Sequence, residues 1–356
     1  MSTFTTERLK QLVGYAIKGA GFDRNIELST YMGVRVEDGE LYLNTTDGTN
    51  YMSVSDRCLA DNMDIVVDAD LFAKLISKIN SDTVDMEVVD ATLVVKGNGK
   101  YTLALIPDET GNALSFPDKF PDDTAELGVI SASDVLTLNN TLKASLSGVA
   151  DSIYSNYYFG DSVVTTDRAM ATVYNKKMFD GEFVFSKQFI DLLTLSTNDV
   201  TISKSGNKFV ATTEISEYCS ISVCTTVTDE AASFDTGAIN KLNALETPAF
   251  CRFKKAQMLE LLDRLSLFVS KFDDGAITLE FTNDSIEVSS LKSDGVERVE
   301  YTESKDTQNI KIKINIDRFR NQLKAYFSDV VDLYYGSEIC IKLVDGDLTQ
   351  IIALIK

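Results

Sequence analysis

Ile312-Lys313-Ile314-Asn315-Ile316-Asp317-Arg318-Phe319, followed by Leu323, reads as an extended apolar segment entering a helix through a capping residue. Asn315 is a good N-cap type, because its side-chain oxygen can accept from an otherwise unpaired amide of the first turn. Phe319 and Leu323 are one helical turn apart and share a face. The pattern occurs twice more. Val66-Val67-Asp68-Ala69-Asp70-Leu71-Phe72 precedes Ile76, with Asp68 as the cap, and Phe183-Val184-Phe185-Ser186-Lys187-Gln188-Phe189 precedes Leu193, with Ser186 as the cap. Each helix spans about ten residues before alternating strands resume, over Thr83 to Val95, Asp199 to Val210 and Val330 to Leu343.

A second helix opens each unit. Thr5 is expected to cap a helix to Lys18, with Leu9, Leu12, Val13, Ala16 and Ile17 as its apolar stripe. Ser131 or Ser133 caps the next, through about Gly148, with Val135, Leu138, Leu142 and Leu146 in line. Phe253 leads the third, through about Val269, with Met258, Leu261, Leu262 and Leu265 in line. Hairpin signals lie between the helices of each pair: Glu37-Asp38-Gly39-Glu40, Phe159-Gly160-Asp161-Ser162 and Thr282-Asn283-Asp284-Ser285. Phe4, Ile130 and Phe253 hold equivalent places, 126 and 123 residues apart. The chain therefore reads as an α+β protein of three copies of helix–strands–helix–strands, residues 1–125, 126–248 and 249–356. The linkers are Phe116-Pro117-Asp118-Lys119-Phe120-Pro121-Asp122-Asp123 and the stretch from Ser233 to Pro248.

Composition narrows the chemistry. The 356 residues are 44% hydrophobic and 25% charged, enough apolar matter for two or three folded domains. There is no histidine, so His triads, His bases and His metal sites are excluded. Cys58, Cys219, Cys224, Cys251 and Cys340 form no C-x-x-C and are read as reduced, largely buried thiols. Met1-Ser2-Thr3-Phe4 carries no signal-peptide pattern and no stretch is long enough to span a bilayer, so a soluble cytoplasmic protein is expected. No phosphate-cradling P-loop occurs. Lys96-Gly97-Asn98-Gly99-Lys100, Asp345-Gly346-Asp347, Asp273-Asp274-Gly275 and Asp61-Asn62-Met63-Asp64 read as turns rather than nucleotide or metal sites. No constellation nominates an enzyme, and no metal or cofactor is expected.

Thirty-four basic residues face 54 acidic ones, a net charge of −20. The distribution says more than the sum. The predicted helices, 5–21, 70–80, 133–151, 186–196, 253–272 and 317–328, carry fourteen bases against eight acids, so the acidic excess lies elsewhere. That distribution reads either as solvated helix faces rich in lysine or as the footprint of a protein that meets phosphates on one side only, the middle repeat contributing only Lys143 and Lys187.

Three such repeats with basic helices resemble the bacterial DNA polymerase III beta subunit, the sliding clamp. Several short stretches carry the resemblance. Lys100 to Pro107, followed by Phe116-Pro117, is similar to the end of the family's first repeat. Leu41-Tyr42-Leu43-Asn44-Thr45-Thr46-Asp47 and Val163-Val164-Thr165-Thr166-Asp167-Arg168-Ala169-Met170-Ala171 resemble its paired strand-to-Thr-Asp segments. Ser270-Lys271-Phe272-Asp273-Asp274-Gly275 looks like its third-repeat helix end, and Ile351-Ile352-Ala353-Leu354-Ile355-Lys356 its apolar last strand. The family's Thr-Asp-Gly-His-Arg-Leu is shortened here to Thr166-Asp167-Arg168-Ala169-Met170, and its terminal Met-Pro-Met is replaced by Ala353-Leu354-Ile355. These departures fit a phage-encoded or otherwise divergent member.

The resemblance implies a DNA-clamp fold closed into a ring by two chains head to tail, with helices lining the hole and sheets outside. It implies a non-enzymatic processivity factor that encircles double-stranded DNA without sequence preference, with a clamp loader and a DNA polymerase as partners and no membrane. The implied DNA set is Arg8, Lys10, Arg24, Lys74, Lys78, Lys254, Lys255, Arg318, Arg320 and Lys324. The implied partner-peptide pocket is Thr166, Met170, Leu245, Ile351, Ala353 and Ile355, and the implied dimer interface is Tyr101 and Leu103 against Leu267 and Phe268. The rival reading, from composition alone, is a viral structural or assembly protein built of repeated α+β domains.

Overall fold

The computed structural model describes residues 2–149, 152–227, 230–292 and 294–356. Met1, Ala150 and Asp151, which figure in the sequence reading, lie outside the described residues, as does the side chain of Lys271. The element order repeats. The first run is β1 (Ser2–Thr5), α1 (Thr6–Ala16), β2 (Tyr31–Glu37), β3 (Glu40–Thr46), β4 (Asn50–Arg57), β5 (Met63–Asp68), α2 (Ala69–Lys78), β6 (Thr83–Val89), β7 (Thr92–Lys96) and β8 (Lys100–Ala104). The second is β9 (Ala125–Ile130), α3 (Ala132–Asn140), β10 (Asn156–Phe159), β11 (Val163–Thr166), β12 (Met170–Tyr174), β13 (Phe183–Ser186), α4 (Lys187–Leu193), β14 (Val200–Ser205), β15 (Lys208–Ser216) and β16 (Cys219–Thr226). After α5 (Thr236–Ala244), the third is β17 (Ala249–Lys254), α6 (Lys255–Leu265), β18 (Ala276–Phe281), β19 (Ser285–Ser290), β20 (Val296–Glu300), a short β21 (Glu303–Lys305), β22 (Ile310–Asn315), α7 (Ile316–Ala325), β23 (Val330–Tyr335), β24 (Cys340–Asp345) and β25 (Leu348–Ala353).

The chain divides into two compact units, Met1–Val135 with Gln188–Thr228, and Leu136–Lys187 with Asp229–Lys356. The first holds an eight-stranded sheet, β5-β2-β3-β4-β16-β15-β14-β9, and a four-stranded one, β1-β6-β7-β8. The second holds a nine-stranded sheet, β13-β10-β11-β12-β25-β24-β23-β17-β21, and a four-stranded one, β20-β19-β18-β22. One rule builds both long sheets. The fourth strand of one run pairs antiparallel with the last strand of the next: β4 with β16 in the first unit, β12 with β25 in the second. Among the described residues, β8 and β20 are sheet edges.

Local chemistry explains the elements. The Asp68 side chain accepts from the Leu71 amide and Asn315 from the Arg318 amide, so both act as N-caps. Ser131 Oγ accepts from the Asp134 amide at 3.2 Å and donates to its carboxylate at 2.6 Å. Thr5 stands at the start of α1 but makes no side-chain cap bond. Asp38 and Gly39, both at positive φ, form the two-residue turn between Glu37 and Glu40. The apolar helical faces are buried as expected: Leu9, Leu12, Val13, Ala16, Phe72, Ile76, Phe189, Leu193, Phe319 and Leu323 are each at most 3% exposed. In the second unit α6 and α7 pack on each other, α6 also meeting β17 and β20 and α7 meeting β22 and β25. Their core joins Met258, Leu261 and Leu262 to Phe281, Phe319 and Tyr335.

Several expectations need correction. Phe253 does not lead a helix. It is the buried end of β17, as Phe4 is in β1 and Ile130 in β9, each two residues before its helix begins. The helices are shorter than read: α1, α3 and α6 each give way to a single tight turn of 3-10 helix, at Ile17–Gly19, Leu142–Ser145 and Ser266–Phe268. Met63 and Asp64 belong to β5 rather than to a turn. The stretch from Ser233 to Pro248 is not bare linker, because Asp235 accepts from the Ala238 amide and starts α5.

Candidate functional site

A cavity of about 270 Å³ opens in the second unit between the β11–β12 loop, β25 and α5. The floor is apolar and buried: Met170, Ala171, Cys340 and Ile351 are each at most 7% exposed. Burial pushes the Cys340 thiol above its ordinary range, which keeps it neutral. Helix α5 supplies the opposite wall through Ala238, Ile239 and Leu242. Ala353 and Ile339 complete the apolar part of the lining.

The loop that shapes the mouth is tightly strapped. Thr166 Oγ1 donates to the Met170 carbonyl at 2.6 Å and accepts from the Arg168 amide at 2.9 Å. Asp167 Oδ1 accepts from the amides of Ala169 and Met170 at 2.8 and 2.6 Å. Thr46 and Asp47 make the same four bonds in the first unit, with Asn50, Gly48 and Thr49 as partners. In that copy the left-handed position is Gly48, at φ 93°. In the cavity loop it is Arg168, at φ 75°. The Arg168 guanidinium lies 4.8 Å from the ring centre of Tyr154, and both residues line the mouth.

Behind the floor lies a buried polar network. Gln322 of α7 donates to Ser145 Oγ at 2.8 Å and contacts Met170 Sδ at 3.4 Å. Gln350 Nε2 donates to the Gln322 carbonyl and side-chain oxygens, and Ser145 pairs with Thr172 at 2.7 Å. The α5 wall is pinned from below by Lys342, which is 6% exposed. Its ammonium donates to the Asn243 and Leu245 carbonyls at 2.8 and 2.5 Å, satisfying acceptors that the end of a helix leaves open. Burial lowers the Lys342 pKa.

Of the six residues expected at a pocket, Thr166, Met170, Ile351 and Ala353 line this cavity. Leu245 does not. It ends α5 and packs against the apolar cluster of Tyr158, Val164, Phe234 and Ile351. Ile355 does not either: it lies beyond the end of β25, and its amide donates to Lys313. The sequence reading missed α5 altogether, although Asp235 followed by Ala238, Ile239 and Leu242 is a legible cap and helical spacing.

The residues expected at a chain–chain contact split into two kinds. Tyr101 on β8 is 40% exposed, and Leu267 and Phe268 after α6 are 82% and 52% exposed. Leu103 is different. It is 4% exposed, part of the interior of its own sheet.

The ten expected DNA contacts also divide. Arg8 is held by Asp56 at 2.6 Å and donates to Gln11 and Ser216, and its hydrogen bond to Asp56 raises its pKa. Lys74 pairs with Asp70 at 2.6 Å, and Arg320 bridges Asp263 and Asp317 at 3.1 and 2.9 Å. Arg318 lies 3.9 Å from Asp167, and Lys255 donates to the Tyr326 carbonyl at 2.9 Å. Lys10, Arg24, Lys78, Lys254 and Lys324 make no ion pair among the described residues, and all but the half-buried Lys10 are exposed.

No protein-family model and no curated protein matches this sequence. Solved structures do. The DNA polymerase III beta chain of Streptococcus pneumoniae superposes with a TM-score of 0.85 over 100% of both chains at 16% identity. The DNA polymerase III subunit beta of Borrelia burgdorferi, solved in complex with a natural product, gives 0.86 over 100% of this chain and 99% of that one at 14% identity. The Pseudomonas aeruginosa DNA polymerase sliding clamp gives 0.82 over 100% and 99% at 15% identity. The chain therefore has the sliding-clamp fold from end to end.

Proposed function

We propose that the protein is a DNA sliding clamp: a non-catalytic ring that encircles duplex DNA and tethers a replicative DNA polymerase in the cytoplasm. The observation that carries this is the end-to-end likeness, since the whole of this chain matches nearly the whole of each clamp. Three repeats, 1–125, 126–248 and 249–356, then make half a ring. The strand rule supports its closure. Within the chain, fourth strands meet last strands at β4–β16 and β12–β25, which leaves one fourth strand, β20, and one last strand, β8. A second copy offers the missing partner for each, giving a head-to-tail pair with two identical junctions. Tyr101 on one side and Leu267 and Phe268 on the other are exposed and available to that junction.

The unpaired bases Lys10, Arg24, Lys78, Lys254 and Lys324 suit a sliding contact. Long, mobile ammonium and guanidinium groups meet phosphates without reading bases, and the acidic excess elsewhere disfavours DNA outside the hole. The apolar cavity, with Arg168 and Asp235 as the charged residues of its lining, suits a short, largely apolar peptide of the polymerase or of the loader that opens the ring. The test is topological. Loaded protein should remain on a nicked circle through a high-salt wash and leave once the circle is cut. Equal retention on linear and circular DNA would overturn the reading.

A further inference from the structure

A second surface in the second unit has a different chemistry. It is an open groove of about 820 Å³ where the end of α3 and the following turn meet the end of α7. Lys143, Lys255 and Lys324 line it together with the amides of Asn139, Asn140 and Asn321. No acidic residue among the described residues lines it, although acids outnumber bases 54 to 34 in the chain. Phe327 stands in the same groove, 83% exposed. The frame is fixed from within: Thr141 Oγ1 donates to the Ala325 carbonyl at 2.9 Å, and Lys255 to the Tyr326 carbonyl at 2.9 Å.

We propose that this groove binds single-stranded nucleic acid, with the lysines on the phosphates and an unstacked base on the ring of Phe327. Lysines alone would suit any polyanion. The exposed aromatic decides among them. A duplex keeps its bases stacked inside and presents nothing for Phe327 to cover, whereas a single strand offers a base face at every nucleotide. The amides of Asn140 and Asn321 supply donors and acceptors for base edges without adding charge that would repel phosphate, while Asn139 Oδ1 accepts from Lys143 at 3.0 Å. The inference goes beyond the clamp reading: it concerns the unpaired strand, and it stands or falls without ring closure.

The experiment uses the intact chain and a fluorescein-labelled oligo(dT), followed by anisotropy at several salt concentrations. Saturable binding that weakens as salt rises is expected. Phe327→Ala should weaken it by about tenfold, the usual worth of one base–aromatic stack, and leave the thermal melt unchanged. Lys324→Glu should weaken binding and flatten its salt dependence. An oligo(U) of equal length should bind comparably, since stacking and phosphate contacts do not need deoxyribose. Equal binding of an abasic sugar–phosphate strand, no effect of Phe327→Ala, or equal competition by a polyglutamate peptide would each overturn the assignment.

Discussion

Replacing both Leu267 and Phe268 by serine tests ring closure at the residues best placed to report it. Full burial of a leucine or phenylalanine side chain is worth about 1.5–3 kcal/mol. Leu267 is 82% and Phe268 52% exposed in the single chain, so most of that gain is still to be made. Scaled by exposure, the pair contributes about 3 kcal/mol at each junction, or roughly a hundredfold in affinity. A ring with two identical junctions loses both, on the order of ten-thousandfold in its dimerisation constant. The fold should barely notice, because substitutions at exposed positions stay within about 0.5 kcal/mol. Sedimentation velocity from nanomolar to micromolar concentration should show dimers for the parent and monomers for the double variant, with coincident thermal melts. A double variant as dimeric as the parent throughout would refute the reasoning. Leu103→Asp, the more obvious choice from sequence, cannot serve: it would place a charge inside the chain's own sheet, where Leu103 is 4% exposed, and unfolding would mimic dissociation.

Three further outcomes are expected. Ala238→Phe fills the cavity from the α5 wall, so primer extension with the cognate polymerase should lose its stimulation while the ring still forms and loads; unchanged stimulation would exclude the cavity as the tether site. Lys342→Met removes the ammonium beneath α5 and should cost about 2 kcal/mol, read by denaturant unfolding, together with peptide-dependent stimulation; an unaltered midpoint would show that α5 holds itself. At alkaline pH, burial has pushed the Tyr42 and Tyr158 hydroxyls up to about 12, and Tyr301, Tyr326 and Tyr335 are also raised by burial. The unfolded chain sheds these protons near pH 10 while the folded one keeps them. The stabilisation is therefore complete below pH 10 and is lost as pH climbs towards 12. The chain has fourteen tyrosines and no tryptophan, so ionisation of these five should appear in the tyrosinate absorbance as a late rise that coincides with loss of circular dichroism; a rise that is complete while the circular dichroism is unchanged would contradict this.

The repeat was legible because its markers are local. A cap such as Asp68 or Asn315 and a Phe–aliphatic pair one turn later are set by neighbours in sequence, and the structure keeps them. Helix ends were less legible, since the apolar spacing runs on through Ile17 and Leu142 after the α-helices have tightened into single turns, and the turn after α6 buries none of its residues. Site residues divided along the same line. Thr166, Met170, Ile351 and Ala353 lie on strand segments with a recognisable pattern, whereas α5 lies in the stretch from Ser233 to Pro248 that reads as a linker. Charge was the least legible property. Arg8 and Arg320 read as bases ready for phosphate, yet folding brings Asp56 and Asp263 to them, and Lys74 is paired with Asp70 one turn back on its own helix.

The two Thr-Asp loops share one hydrogen-bonding scheme and differ at one backbone position, Gly48 in one and Arg168 in the other. Glycine occupies the left-handed region freely, but a residue with a Cβ bears about 1–2 kcal/mol there. Arg168 is thus a point at which stability and recognition pull in opposite directions. Glycine would relax the turn and firm the fold, at the loss of the guanidinium that covers Tyr154 at the cavity mouth. Selection for thermal stability alone would be drawn to this codon, and the variant it favoured would be a sturdier protein with a barer doorway.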